Sequence, residues 1–295
     1  MSIINYMGNT PMVKLKKQFD NSAEIYVKME EFNPGGSIKS RVGMQMIEDA
    51  EKQGKIKKGD TLLEPTGGNT GIGLALSAAI KGYKLILTIP DNFSSEKIKV
   101  LKSLGGEVIL ADHRLGNDCH IKAAEKLLMD NQGYKCLNQF TNISNPLTHY
   151  YSTGKEIINQ MQNSVDYFVS SIGSGGTITG VGKRLKENIP TVKIIGVQPE
   201  GCDLKNGIFV PHKIQATAVG RVGSFMNFDL LDGVVNVNFE EVQEQREYLA
   251  KSQGLFVGIS SGANILAAQK LAKEVGRGSV IVTVAPDSGR SYIED

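Results

Sequence analysis

The sequence predicts an α/β protein built on a mostly parallel sheet with helices packed against it. Three observations carry this prediction. Short apolar runs alternate with longer amphipathic segments through most of the 295 residues, which is the order of a parallel sheet rather than of hairpins. Glycines stand where the amphipathic segments should stop. Three turns rich in glycine and hydroxyl residues each join an apolar run to a helix pattern, the connection found at the carboxyl ends of strands in an open parallel sheet.

In chain order, the runs that read as strands are Glu24–Met29, Thr61–Leu63, Leu85–Ile89, Val108–Ala111, Tyr167–Ser171, Lys193–Val197, Gly233–Val237, Leu255–Val257 and Val280–Val284. The helical patterns between them cover Ser37–Gln53, Asn69–Lys81, Ser94–Leu104, His120–Asn131, Asn145–Met161, Gly176–Asn188, Glu240–Gln253 and Ser261–Val275. Gly54, Gly82 and the pair Gly105–Gly106 fall at helix ends, where a left-handed cap favours glycine. The longest stretch without periodicity runs from Pro199 to Leu231, and a loop of that length in a compact α/β protein is more often functional than idle. The polar, proline-containing segment Asn142–Pro146 marks a candidate domain break.

Composition narrows the function. The chain is 40% hydrophobic and 22% charged with a formal net charge of +2, an ordinary globular composition that gives no basic tract for nucleic acid. Cys119, Cys136 and Cys202 are odd in number and widely spaced, and with His113, His120, His149 and His212 they make no ligand-spaced cluster. Neither a disulfide framework nor a metal centre is indicated. The start Met-Ser-Ile-Ile-Asn lacks a signal pattern, and no run of eighteen apolar residues occurs. A reducing cytoplasm is the expected location, with no membrane partner.

Lys39 is the best candidate for covalent chemistry. It follows the glycine-rich Asn33-Pro34-Gly35-Gly36-Ser37-Ile38 at the start of a helix pattern, where unpaired N–H groups disfavour an ammonium and make the neutral amine easier to reach. The bland alternative is a solvated surface charge. The three turns tilt the balance: Leu63-Glu64-Pro65-Thr66-Gly67-Gly68-Asn69-Thr70-Gly71, Ser171-Ile172-Gly173-Ser174-Gly175-Gly176-Thr177, and Gly258-Ile259-Ser260-Ser261-Gly262-Ala263. Each alone could be an ordinary strand-to-helix turn. Together they offer backbone donors to an anion at helix starts, and Gly173–Thr177 suits a phosphate best. It is neither a Walker loop nor a GxGxxG fingerprint. A lysine for an aldehyde, a donor cradle for a phosphate and a partner for a ring nitrogen are what pyridoxal phosphate needs.

From Gly8-Asn9-Thr10-Pro11 to Pro286-Asp287-Ser288-Gly289-Arg290 the sequence resembles the cysteine synthase and cystathionine β-synthase family of fold-type II pyridoxal phosphate enzymes. Gln139-Phe140-Thr141-Asn142 and Asn145-Pro146 make it most similar to the short bacterial cysteine synthases. The resemblance implies two open, twisted, mostly parallel sheets flanked by helices, with the cofactor in a cleft between domains. It divides the chain into a smaller mobile substrate-binding domain (1–12 and 35–144) and a larger phosphate-binding domain (13–34 and 145–295).

It also implies roles. Lys39 would carry the cofactor and then act as the base that removes the substrate α-proton. Asn69 would bond the ring hydroxyl, Gly173, Ser174, Gly175, Gly176 and Thr177 the phosphate, and Ser260 the pyridine nitrogen. Thr66, Gly67, Gly68, Thr70 and Gln139 would hold the substrate α-carboxylate. The implied reaction is a two-stage β-replacement that makes L-cysteine from O-acetyl-L-serine, or a related activated serine, and sulfide through an α-aminoacrylate. The implied partners are the amino acid, sulfide or a thiol, a second copy in a homodimer, and a serine acetyltransferase tail.

Three departures from the family pattern matter, the first as electrostatic tuning beside the lysine and the second and third for substrate choice. The family commonly reads Ser-Val-Lys-Asp-Arg where this chain has Ser37-Ile38-Lys39-Ser40-Arg41, and Thr-Ser-Gly-Asn-Thr-Gly where it has Thr66-Gly67-Gly68-Asn69-Thr70-Gly71. A Gly-Ile-Gly-Ala-Gly-Phe segment is replaced by Ala216-Thr217-Ala218-Val219-Gly220-Arg221. A lost hydroxyl and side chains in place of glycines reshape a substrate cleft. Arg221 reads as a solvated loop charge ahead of an anion contact, Asp232 as a strand-edge carboxylate ahead of an aid to the nucleophile, and His149-Tyr150-Tyr151 as packing and helix surface. The rival activity is related chemistry on L-serine or L-cysteine, either condensation with homocysteine or release of sulfide. A non-catalytic binding protein is the reading from another class, and the intact Lys39, Asn69, Ser260 and phosphate loop weigh against it.

Overall fold

The computed structural model describes residues 2–16 and 20–293. Met1, Lys17–Phe19 and Glu294–Asp295, which fall inside the expected domain ranges, lie outside the described residues. In chain order the elements are β1 (Met12–Lys14), β2 (Glu24–Met29), α1 (Lys39–Lys52), β3 (Thr61–Glu64), α2 (Asn69–Lys81), β4 (Lys84–Pro90), α3 (Ser95–Ser103), β5 (Glu107–Ala111), α4 (Cys119–Asp130) and β6 (Tyr134–Lys135). They continue with α5 (Ser144–Thr148), α6 (Gly154–Met161), β7 (Tyr167–Ser171), α7 (Gly176–Asn188), β8 (Lys193–Pro199), β9 (Gly233–Val237), α8 (Phe239–Gln253), α9 (Ile259–Val275) and β10 (Val280–Ala285). The chain divides into two compact units, Ser37–Ser144 and Met1–Gly36 with Asn145–Asp295.

The Ser37–Ser144 unit holds a four-stranded sheet in the order β5-β4-β3-β6, parallel throughout. Because side chains alternate along a strand, Leu62, Leu85, Leu87 and Ile89 pack with Val42, Met46 and Ile47 of α1 and Leu74 and Ala78 of α2. Leu63 and Ile86 point the other way and pack with Ala124 of α4. Burial on both faces explains why these strands read as continuous apolar runs.

The second unit holds a six-stranded sheet in the order β1-β2-β10-β7-β8-β9, parallel except for the β1–β2 pair. The same alternation sends Val169, Ile195 and Ile281 to one apolar layer with Ala263 and Ala267 of α9. It sends Phe168, Ile194 and Val282 to the other with Ile157 of α6 and Val181 of α7.

Four expectations change. Residues 2–12, the described part of the expected 1–12 segment, belong with the larger unit instead of the smaller. Their polar groups are satisfied there: Met29 N donates to Pro11 O at 2.9 Å, Thr10 Oγ1 to Glu30 Oε1 at 2.7 Å and Gly8 N to Asn33 Oδ1 at 3.0 Å. Leu255–Val257 is not a strand. Leu255 N turns back to Leu249 O at 3.1 Å, and Val257 makes only an isolated bridge to Ser288. The helix expected over Asn145–Met161 is α5 and α6 joined by a π-helical turn, His149–Thr153. Beside that turn a Cβ on Gly180 of α7 would lie 2.1 Å from Pro146 O and 2.8 Å from His149 Cβ. Finally, β1 and β6, of three and two residues, are too short to leave a periodic signature. No described helix is long and apolar enough to cross a membrane.

Candidate active site

Lys39 is the first residue of α1, and its N–H donates to Ser37 Oγ at 3.3 Å. Its position is set by a glycine crossing that the sequence pattern does not reveal. A Cβ on Gly43 of α1 would lie 2.4 Å from Gly73 C of α2, and one on Gly73 would lie 2.3 Å from Lys39 O. The two helices therefore touch backbone to backbone, and the start of α1 lies one turn from Asn69, the first residue of α2. Lys39 is half-buried, and its Nζ has no hydrogen-bond or ion-pair partner among the described residues. Desolvation alone pushes its amine from an ordinary 10.5 down to about 8.

The turn from β3 into α2 carries the other candidates of this unit. Gly68 caps the helix in an extended conformation, and the amides of Gly67, Gly68 and Thr70 make no backbone hydrogen bond among the described residues. They form an anion-directed helix start. Gln139 joins them from a distant part of the chain: Thr70 Oγ1 donates to Gln139 Oε1 at 2.7 Å. The structure thus gathers Thr66, Gly67, Gly68, Asn69, Thr70 and Gln139 at the turn that follows β3, with the backbone of Lys39 against Gly73 in the next turn of α2.

The remaining candidates lie in the other unit. After β7 the chain enters Gly173–Thr177 and then α7, and the amides of Gly173, Ser174, Gly175 and Thr177 make no backbone hydrogen bond among the described residues. The glycines are required by space. A Cβ on Gly173 would meet Ala216 O at 2.4 Å, one on Gly176 would meet Asn145 Oδ1 at 2.0 Å, and Gly175 has φ +87°. Asn145 Nδ2 also donates to Ser174 Oγ at 3.1 Å. Ser260, second in α9, is 2% exposed, and its hydroxyl has no protein partner among the described residues. Its backbone is fixed by Gly258 N donating to Asp287 O at 3.0 Å and by Ser261 Oγ donating to the same oxygen at 3.1 Å.

Comparisons with known proteins place the chain in a family. Residues 3–287 match the family model described as pyridoxal-phosphate dependent enzyme. The chain belongs to that family. It is 42% identical to a cysteine synthase of Staphylococcus aureus over 99% of this chain and 95% of the relative. A solved structure of a hydrogen sulfide-producing enzyme from Fusobacterium nucleatum superposes with a TM-score of 0.94 at 39% identity, covering 99% of this chain and 97% of that one. An O-ureido-L-serine synthase structure gives 0.95 at 34% identity, with coverage of 100% and 93%.

Membership makes this a pyridoxal-phosphate-dependent β-replacing enzyme, and its residues fit that cofactor. The unengaged amides of Gly173, Ser174, Gly175 and Thr177 suit the phosphate, and the Ser260 hydroxyl and the Lys39 amine, neither with a partner among the described residues, suit a ring nitrogen and an aldehyde. Two residues gain a place that sequence reading did not give them. His149, read as packing and helix surface, is fully buried in the π turn with Nε2 3.4 Å from Thr177 Oγ1 and Nδ1 3.0 Å from Thr153 Oγ1. A π turn beside a site was the missing signal, and it is not visible as a 3.6-residue period. Glu64 is 3% exposed at the end of β3, and its carboxylate accepts N–H groups of Asn138 and Gln139.

Other candidates separate from the site. Asp232 Oδ2 accepts from Ile194 N at 2.8 Å and pairs with Lys186 at 2.9 Å. Partial desolvation opposes its charge, but those partners outweigh it and hold the carboxyl below its ordinary range. It is a sheet-edge staple. Ligand-type atoms of Asp91, Asp112 and His113 cluster within 4.8 Å. The Asp91–His113 contact of 2.6 Å and the Arg114–Asp112 pair of 2.7 Å already account for them.

Proposed function

We propose that this enzyme makes L-cysteine from O-acetyl-L-serine, or a related activated serine, and sulfide. The observation that carries the reading is the half-buried Lys39, its amine without a partner among the described residues, at a helix start whose backbone lies against Gly73, one helical turn after Asn69 and the Thr66–Thr70 turn. A base for the α-proton and a carboxylate-binding turn are thereby held on two helices locked by Gly43 and Gly73. The 42% identity to a cysteine synthase supports the same substrate pair.

When bound, pyridoxal phosphate supplies the electron sink that makes the α-proton of an amino acid acidic. Lys39 Nζ, pushed down to about 8, is the base that takes that proton. The amides of Gly67, Gly68 and Thr70, the Thr66 hydroxyl and the Gln139 amide hold the substrate carboxylate. Asn69 bonds the ring hydroxyl, and Gly173–Thr177 hold the phosphate. The Ser260 hydroxyl, a neutral partner for the ring nitrogen, keeps the ring less electron-withdrawing than an acid would. This favours loss of a β-substituent soon after α-proton removal. Two half-reactions on one site imply ping-pong kinetics. The smaller unit serves as the substrate-binding domain and the larger as the phosphate-binding domain. Homodimerisation and a docked serine acetyltransferase tail rest on the family resemblance, and a cytoplasmic location on the cysteine usage and the start of the sequence.

A second reading, sulfide release or condensation starting from L-cysteine or L-serine, is favoured by Gly67 and by Ala216–Arg221, where this chain departs from the common motifs. The F. nucleatum relative is itself a hydrogen sulfide producer. Steady-state kinetics with O-acetyl-L-serine plus sulfide, against L-cysteine and L-serine each with homocysteine, decides between them. The highest kcat/KM for O-acetyl-L-serine is expected. A higher value for L-cysteine or L-serine replaces the first reading with the second.

A further inference from the structure

We infer that Glu64 is a positioning residue for the amino-acid substrate, acting through the turn that carries Gln139. This rests on the reading that Gln139 binds the substrate carboxylate.

Glu64 closes β3, is 3% exposed, and has no cation paired with it among the described residues. A buried, unpaired carboxylate is costly unless donors surround it. Among the described residues its partners are donors from one turn: Asn138 N at 2.9 Å and Cys136 Sγ at 3.5 Å on Oε2, and Gln139 N at 3.0 Å on Oε1. Two oxygens offering only lone pairs match a set of partners offering only hydrogens.

The turn needs that hold. It contains Asn138 in the left-handed region at φ +50°, a conformation with a local cost for a residue other than glycine. Held there, Gln139 places its Oε1 2.7 Å from Thr70 Oγ1. That contact turns the oxygen of the Gln139 amide toward the helix start, and the nitrogen is the group of Gln139 that suits an anion. The chain of contacts runs from Glu64 through the backbone of Asn138 and Gln139 to Thr70, all within one unit. The Glu64 carboxylate itself faces the turn's N–H groups, so it shapes the carboxylate subsite without touching the substrate.

Glu64→Gln keeps size and shape but turns one acceptor into a donor facing donors. On the cofactor-loaded enzyme, L-serine binding followed by the cofactor's visible band should weaken about tenfold. Pyridoxal phosphate affinity and sulfide KM should stay near wild type. Gln139→Ala should weaken L-serine binding comparably, and the double variant should be no worse than Gln139→Ala alone, because the two act through one contact. Unchanged L-serine binding in Glu64→Gln, a parallel loss of cofactor affinity, or additive effects in the double variant would each overturn the inference. Normal L-serine binding by Gln139→Ala would instead remove the carboxylate role of Gln139, and the inference with it. Hydrogen exchange on the wild-type holoenzyme gives a check independent of any variant. The Asn138 and Gln139 amides should exchange slowly, and exchange as fast as unbonded loop amides overturns the assignment.

Discussion

Ile89 Cγ2 fills the place where a side chain on Gly67 would begin: a Cβ there would lie 2.7 Å from it, with Ile89 Cδ1 and Phe93 Cε1 both at 3.0 Å. The hydroxyl missing from this substrate turn is therefore matched by an apolar wall that has closed in behind it. Gly67→Ser alone should cost about 1–3 kcal/mol through overpacking. Ile89 is fully buried, so Ile89→Ala alone should also destabilise, by about 2–5 kcal/mol. Together they should cost clearly less than the sum. Denaturant unfolding of the four proteins measures this, and simple additivity would show that the wall and the glycine are unrelated.

The Lys39 amine gives a pH dependence with a definite sign. Its folded pKa, about 8, lies below the ordinary 10.5. The unfolded chain therefore binds this proton more tightly, and the cost of burying the charge is fully present below about 8 and fades as pH rises toward 10.5. In the apoprotein, Lys39→Met should be more stable than wild type at pH 7, and the difference should shrink across that window. Uptake of pyridoxal phosphate by the wild-type apoprotein should accelerate with pH and level off above about 8. A flat profile for both measurements would remove the perturbed amine from the account.

Replacing Lys39 tests its chemistry directly. Lys39→Ala should retain no cofactor after borohydride reduction and lose turnover by at least about 10²–10⁴-fold, the contribution of a general base. Wild-type turnover in that variant would assign the base elsewhere.

Gly73 is the keystone of the α1–α2 crossing. Gly73→Ala places a Cβ 2.3 Å from the Lys39 carbonyl oxygen, where only backbone can yield. Helix propensity by itself would favour alanine by about 1 kcal/mol. The expected outcome is the reverse, a lower thermal midpoint together with slower turnover, because the start of α1 must shift. A stabilised and fully active Gly73→Ala enzyme would contradict the crossing.

Ala216 and Ala218 sit at φ +62° and +47°, in a region that glycine enters without strain. Glycine at either position should raise stability by about 1 kcal/mol, the left-handed cost being only partly offset by the freer unfolded chain. The thermal midpoint of Ala216→Gly and Ala218→Gly checks this, and a lower midpoint in both would show that the alanine side chains contribute packing that exceeds their strain.

The sequence by itself determined the alternation of strands and helices, because burial on both sheet faces writes continuous apolar runs and helices write a 3.6-residue period. It also marked Lys39 and the glycine- and hydroxyl-rich turns that contain Asn69, residues 173–177 and Ser260, since each stands at a helix start, while the roles of the single residues came from the family resemblance. Tertiary structure alone decided the rest. Residues 2–12 pack with the larger unit through single hydrogen bonds that leave no periodic trace. The Gly43–Gly73 crossing depends on which faces of two helices meet, and His149 reaches Thr177 only because a π turn shifts the helical register. Gln139 meets Thr70, and Glu64 meets the turn of Asn138, across some seventy residues of chain. Contacts of that separation arise from how strands are ordered in the sheet, which no local pattern encodes.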